Sequence, residues 1–271
     1  MSLEIDQSRL ANANLLIVEI GNSHVSIATL IRGKIFTNLR FEPGDLAGIG
    51  EAAEAAWVAL PDEYERCVVI GSVVRPTLDA VRDLLADRLN TEIRVVGEEI
   101  HRPMSLATEQ PERVGIDRIC AAAAAFDVLK RSCVVASFGT AVTIDCVNDE
   151  GVFMGGAILP GLFLQAKSLH DGTDALPEVA IEAATQVFGD TTEEAIRIGV
   201  VHGLVGALRE IVERYATELG SWPQLVVTGG GAELIRSQCE FIDNVVSDLC
   251  IRGIALAHRK HFTPFEDEDQ E

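Results

Sequence analysis

The chain has 271 residues, 48% of them apolar, and a formal net charge of −20. That length and apolar content suffice for one large core or two ordinary ones, and no apolar run reaches membrane-spanning length. The negative balance opposes nucleic acid as a partner, because phosphate backbones are bound through a basic footprint that is missing here.

Residues 1–13 are polar and lack the basic-then-apolar order of a signal peptide, so a flexible extension on a cytoplasmic protein is expected, with no membrane contact. Leu15–Ile20 is an apolar, β-rich run that meets the turn Gly21-Asn22-Ser23, and Val25–Ile31 returns as a second strand. Lys34–Phe41 makes a third. Asp45 then caps a helix that runs to about Leu60. Cys67–Ser72 is a buried strand, and Pro76 opens a helix on the spacing of Leu78, Val81, Leu84, Leu85 and Leu89. Glu92–Val96 returns as a strand. The stretch from Gly97 to Val114 is irregular, carries Pro103 and Pro111, and is a candidate loop or lid.

An alanine-rich helix over Asp117–Lys130 precedes a second start of the same design. Cys133–Phe138 meets Gly139-Thr140, Val142–Val147 returns, and Val152–Leu159 follows after the turn Asn148-Asp149-Glu150-Gly151. Pro160-Gly161 opens a helix. A long helix covers Thr192–Leu219, with Val201, Leu204, Val205, Leu208, Ile211, Val212 and Tyr215 on one face. Strand Gln224–Val227, the turn Thr228-Gly229-Gly230-Gly231, a helix, a short strand near Val245 and a helix from about Leu249 to His261 complete the pattern. The acidic run 263–271 reads as a solvated tail.

The duplicated strand–glycine–strand start implies two matching halves. A glycine between two strands permits positive φ and lets amide N–H groups approach a ligand, so the two turns together suit phosphate, with Asn22, Ser23 and Thr140 adding hydrogen bonds; each turn alone also reads as an ordinary hairpin. Gly229 and Gly230 sit where a strand turns into a helix, either to pass beneath a flat ligand or to permit tight packing. Gly115-Ile116-Asp117-Arg118 places a carboxylate and a guanidinium at a helix start. That pair suits a proton acceptor beside an anion grip, or equally an N-cap with a surface ion pair. Gly48-Ile49-Gly50 matches a dinucleotide fingerprint only by chance, because it falls inside a helix. The six cysteines form no C-x-x-C pair and read as small buried hydrophobes. The histidines show no metal-ligand spacing, and His24 reads as a turn residue.

Taken in order, Gly21-Asn22-Ser23, Gly71-Ser72-Val73-Val74, Gly115-Ile116-Asp117-Arg118, Phe138-Gly139-Thr140-Ala141, Gly155–Gly161, Leu176-Pro177, Thr192 with Gly199 and Thr228-Gly229-Gly230 resemble the type III pantothenate kinases, within the superfamily of sugar kinases, actin and Hsp70-type ATPases. The resemblance spans about Leu15 to Ala257. It implies an α/β fold of two ribonuclease-H-like domains, over residues 14–116 and 117–262, with a nucleotide cleft between them. It implies transfer of the ATP γ-phosphate to pantothenate, Mg²⁺, a monovalent cation (K⁺ or NH₄⁺) and a homodimer. By the same resemblance, Glu19, Gly21, Asn22, Ser23, Gly139, Thr140, Gly229 and Gly230 would hold ATP and its phosphates. Asp117 would be the general base, and Gly115, Ile116, Arg118 and Thr192 would hold pantothenate.

Three positions depart from the family pattern. Glu19 stands where the family has an aspartate that helps hold the metal, Ser137 where it has an aspartate for the monovalent cation, and Thr108 where it has a tyrosine near pantothenate. Ser137 supplies no charge to a hard cation, so weak or absent potassium dependence is expected. The departures leave two alternatives: a non-catalytic accessory paralogue, or a kinase of another small hydroxylated acid.

Overall fold

The computed structural model describes residues 12–184 and 186–263, so the expected N-terminal extension and acidic tail lie almost wholly outside the described residues. The chain divides into two units, each drawn from separated stretches. One takes in the chain up to Met104, Glu112–Ala124 and the chain from Cys250 onward; the other takes in Ser105–Pro111 and Ala125–Leu249.

The first unit is built on β1 (Asn14–Ile20), β2 (Val25–Ile31), β3 (Lys34–Phe41), β4 (Arg66–Ser72) and β5 (Ile93–Val95). Their order is β3-β2-β1-β4-β5, antiparallel through the first three and parallel from β1 to β5. Alternation along β1 decides which residues face which layer. Leu16, Val18 and Ile20 join a core with α1 (Leu46–Ala59) and α2 (Arg75–Leu89), contributed by Ile49, Ala53, Leu78, Val81, Leu85 and Leu89. Leu15 and Ile17 face the other way, into a core with Cys120 of α3 (Ile116–Leu129) and Ile251, Ile254 and Ala257 of the C-terminal helix, Leu249–Phe262. Glu19 continues that second series. The caps follow the residue types: Asp45 accepts the Gly48 N–H at 2.9 Å, and Asn90 ends α2 in the left-handed region.

The second unit repeats the plan. Its strands are β6 (Cys133–Phe138), β7 (Ala141–Val147), β8 (Phe153–Pro160), β9 (Gln224–Thr228) and β10 (Asn244–Val245), in the order β10-β9-β6-β7-β8. Pairing is again antiparallel through β6, β7 and β8, and parallel from β6 through β9 to β10. Val134, Ala136 and Phe138 form a core with α4 (Leu162–Asp171), α5 (Thr192–Leu219) and α6 (Ala232–Arg236). The buried stripe of α5 is Ile196, Val200, Val201, Leu204, Leu208 and Val212, close to the face expected from spacing, and Thr191 caps the helix through the Glu194 N–H. The C-terminal helix, here α7, packs in the first unit although it follows the second in sequence.

The stretch from Gly97 to Val114 is not a free lid. Ile100 is buried, the Gly97 N–H bonds the Ile100 carbonyl at 2.7 Å, and Lys260 donates to the Pro103 carbonyl at 2.8 Å. Arg75 and Arg82 both pair with Glu98, and Arg82 also with Glu99. In the second unit, the Ala107 N–H donates to the Phe153 carbonyl and the Phe153 N–H to the Ser105 carbonyl, each at 2.9 Å.

Candidate functional site

In the first unit a row of side chains crosses the sheet at one level. Glu19 of β1 lies opposite Ser26 of β2, which lies opposite Arg40 of β3, while on the other side Glu19 neighbours Gly71 of β4. Directly opposed residues share a face, so this row stands on the side covered by α3 and α7. A Cβ on Gly71 would come within 2.6 Å of Ile254 and 3.7 Å of Ile116, which places those helices over the row.

The Glu19 carboxyl is pushed above its ordinary range, chiefly by removal from water and further by the Asp117 charge; hydrogen bonds from Cys250 and Ser26 and the charge of Arg40 oppose the rise. Asp117 sits in the first turn of α3. Desolvation raises its carboxyl too, against the Arg118 N–H, which it accepts at 2.8 Å, and the Arg118 charge. A Cβ on Gly115 would stand 2.5 Å from the Asp117 Oδ1, so any larger residue there would displace the carboxylate. Burial pushes the thiols of Cys120 and Cys250 far up, Cys250 also through Glu19, so both remain S–H groups at neutral pH. Two half-buried carboxylates thus lie close together with the thiols behind them. Sequence reasoning found both carboxylates but missed Cys250, Cys120 and Ser26. Only the cross-strand register of Ser26 was there to be read.

The turn Gly21-Asn22-Ser23 follows directly, closed by the Gly21 N–H on the His24 carbonyl at 2.9 Å. The expectation of positive φ is wrong for Gly21 and for Gly139: neither lies in the left-handed region, and a Cβ on either would meet its nearest atom at an ordinary 3.5 Å. Short hairpin geometry at negative φ suffices for both turns.

In the second unit the corresponding row is Ser137 of β6, between Thr143 of β7 and Thr228 of β9, three hydroxyls without a charge. The turn after it is held from below: Gly161 donates its N–H to the Thr140 carbonyl at 2.9 Å, and a Cβ there would lie 2.2 Å from the Gly139 carbonyl. Gly161, the last glycine of the Gly155–Gly161 motif, is also the N-cap of α4. Gly229 has φ +93°, and a Cβ would meet the Phe138 carbonyl oxygen at 2.5 Å, whereas Gly230 faces open space. The left-handed backbone and the close Phe138 carbonyl both account for Gly229, and Gly230 leaves an unobstructed backbone. Thr192 is exposed at the start of α5. Thr108 lies against Gly155, 3.7 Å from where its Cβ would be, with its hydroxyl buried and without a hydrogen-bond partner.

Against known proteins, the chain matches the family model of the type III pantothenate kinases over residues 15–214. It is 35% identical to a type III pantothenate kinase of Syntrophotalea carbinolica over 254 residues, covering 91% of this chain and 99% of the other, and 30% identical to one of Dehalococcoides mccartyi, covering 90% and 97%. Among solved structures it resembles MreB5 of Spiroplasma citri bound to ADP, at TM-score 0.54 and 10% identity over 95% of this chain and 99% of that one. A conserved Campylobacter jejuni protein provisionally described as a Baf family transcriptional activator aligns at TM-score 0.59 and 19% identity, over 90% and 98%. Likenesses at such low identity show the fold alone. The sequence matches go further: the chain belongs to the type III pantothenate kinase family.

Proposed function

We propose that the chain transfers the γ-phosphate of ATP to the terminal hydroxyl of pantothenate, giving ADP and 4'-phosphopantothenate, the entry step to coenzyme A. The observation that carries this reading is the Glu19–Asp117 pair: two desolvated carboxylates, each held above its ordinary range, in the first unit. A desolvated carboxylate of raised proton affinity at a helix start suits a general base. Asp117 takes the acceptor's proton as the hydroxyl oxygen attacks phosphorus, the bond to the β-phosphate oxygen breaks, and the charge leaves with ADP.

The pair also fits Mg²⁺, which usually takes one or two carboxylates and completes its shell with phosphate oxygens and water. Among the described residues there is no cluster of three or more metal-ligating side chains. Glu19 would hold it, and when bound it neutralises charge on the transferring phosphoryl group. The hydroxyl row at Ser137 does not fit a monovalent cation that needs a carboxylate, so turnover is expected without potassium.

For the remaining positions, the turn Gly21, Asn22 and Ser23 is assigned to phosphate, Gly139, Thr140, Gly229 and Gly230 to the nucleotide, and Gly115, Ile116, Arg118 and Thr192 to pantothenate. A homodimer is supported by the second unit's edge strand β8, where Met154 and Ile158 (63% exposed) accompany Phe163 (67%) and Leu169 of α4 in solvent. No helix among the described residues is long and apolar enough to cross a membrane. The cytoplasm is the proposed location.

The test is direct. Purified protein given ATP, Mg²⁺ and pantothenate should yield 4'-phosphopantothenate by mass spectrometry, and Asp117→Asn should slow its formation by about a thousandfold while keeping Mg²⁺-ADP binding. No product from folded wild-type protein overturns the reading.

A further inference from the structure

A glutamate carries its carboxylate on a stem with more rotatable bonds than aspartate, so its oxygens sweep a wider arc unless something fixes them. Around Glu19 the structure supplies two neutral donors from two different elements. Ser26 is its cross-strand neighbour on β2, on the same face and only 5% exposed. Cys250 is the second residue of α7, packed against the core of Ile17, Cys120 and Ile254 that the same face of β1 helps to form. Both side chains hydrogen-bond the carboxylate, one from the sheet and one from the covering helix.

We propose that Ser26 and Cys250 are positioning residues that clamp the Glu19 carboxylate from two sides and fix the direction in which it meets the metal-bound nucleotide. The inference rests on the assignment of Glu19 to that nucleotide. A neutral clamp has a physical advantage over a cationic one. A lysine or arginine in place of Cys250 would neutralise Glu19 and weaken its hold on a cation, whereas O–H and S–H donors orient the oxygens and leave the charge available. The helix backbone sets the clamp's position: α7 lies so close to α3 that a Cβ on Gly253 would fall 1.9 Å from the Cys120 carbonyl oxygen. That contact leaves Cys250 little freedom to drift.

Two readouts on the full-length protein test this. The first is the Mg²⁺ concentration that half-produces the ADP-induced rise in melting temperature, which needs no turnover. Cys250→Ala and Ser26→Ala should each raise it about threefold and the double variant about tenfold, as expected for neutral hydrogen bonds. Cys250→Ser, which restores a donor, should return to within about twofold of wild type. The second readout is steady-state kinetics, in which kcat should fall while KM for pantothenate holds. Glu19→Gln is the reference. If it abolishes the Mg²⁺-dependent shift while both alanine variants keep wild-type Mg²⁺ dependence, the clamp is wrong and the role of Glu19 stands. If Glu19→Gln itself leaves the shift unchanged, the role of Glu19 fails and the clamp with it. A lower melting temperature of the free protein without a change in Mg²⁺ dependence marks Cys250 as packing only and also overturns the proposal.

Discussion

Glu19 and Ser137 occupy the same place in two sheets of the same strand order, one residue before the end of the central strand, yet they face different chemistry. Around Glu19 stand Ser26, Arg40, Asp117 and Cys250; around Ser137 stand Thr143 and Thr228. The duplication preserved topology and register but not charge. At this level of the sheet the carboxylates stand in the first unit, suited to a proton and a cation, and the second unit's buried carboxylate, Asp145, lies two residues along β7 opposite Val135. The second offers hydroxyls and close-packed glycine backbone, which suit neutral hydrogen bonds to a ligand.

If that division is real, the largest effect belongs to Asp117. Asp117→Asn should lower kcat/KM by about a thousandfold, within the usual range for a general base, while Thr192→Ala in the second unit should cost far less. An asparagine variant with near-normal turnover would break the comparison outright.

The units should also part company in acid. His258 of α7 is buried with its Nε2 unpartnered, and burial, with help from the charges of Arg94 and His261, lowers its pKa to about 4. The His101 ring lies tilted against that of His261 nearby, whereas His170 and His202 of the second unit are exposed. Because the folded pKa is depressed below its ordinary 6.5, the stability tied to a neutral His258 is whole above that pH and is lost as pH falls toward 4. The loss amounts to about 3 kcal/mol. The raised carboxyls of Glu19 and Asp117 act with the opposite sign, so the difference in denaturation midpoint between wild type and His258→Leu isolates the imidazole. That difference should change between pH 7 and 4.5, and a constant difference would remove the histidine from the account.

The direct exchange of the two rows comes next. Glu19→Gln should cost about a hundredfold in kcat, the scale expected when a positioned charge is lost, and Ser137→Ala less than threefold. Equal losses would mean that the rows are functionally alike. Backbone closeness sharpens the second unit: Gly161→Ala should destabilise by roughly 2 kcal/mol through its clash with the Gly139 carbonyl, with Gly230→Ala within about 0.5 kcal/mol of wild type by thermal melting. The smallest effect is the one expected of potassium. Replacing it with sodium should change the rate by less than about twofold, because no carboxylate stands at Ser137 to discriminate hard cations. Saturable activation by potassium would put a cation back in the second unit.

Much of this was legible in the chain. The period-two pattern of Leu15, Ile17 and Glu19 against Leu16, Val18 and Ile20 already places Glu19 on one face of a buried strand, and the glycine turns mark where each half begins. Helices α1, α2 and α5 follow from caps and apolar spacing. Other features were not legible, because they depend on approach between distant stretches. Nothing local links Cys250 to Glu19, 231 positions earlier. The need for glycine at 161 comes from the backbone of Gly139, and at 229 from the backbone of Phe138 together with its own φ of +93°, whereas Gly21 and Gly139 needed no unusual dihedral. Likewise, the return of α7 to the first sheet is decided by which apolar face remains open, and sequence order does not record that.

That return has a consequence for synthesis. A chain emerging from the ribosome carries β1 to β5 first, but the core of Leu15, Ile17, Val69 and Cys120 lacks Ile251, Ile254 and Ala257 until α7 has followed the whole of the second unit. The second unit is almost contiguous and is complete by Leu249, so it has every residue it needs before its elder neighbour does. Glu19 is translated 231 positions before its partner Cys250. A chain cut short before α7 would therefore hold every residue of the second unit, while the face of β1 that carries Leu15 and Ile17 would lack its covering helix.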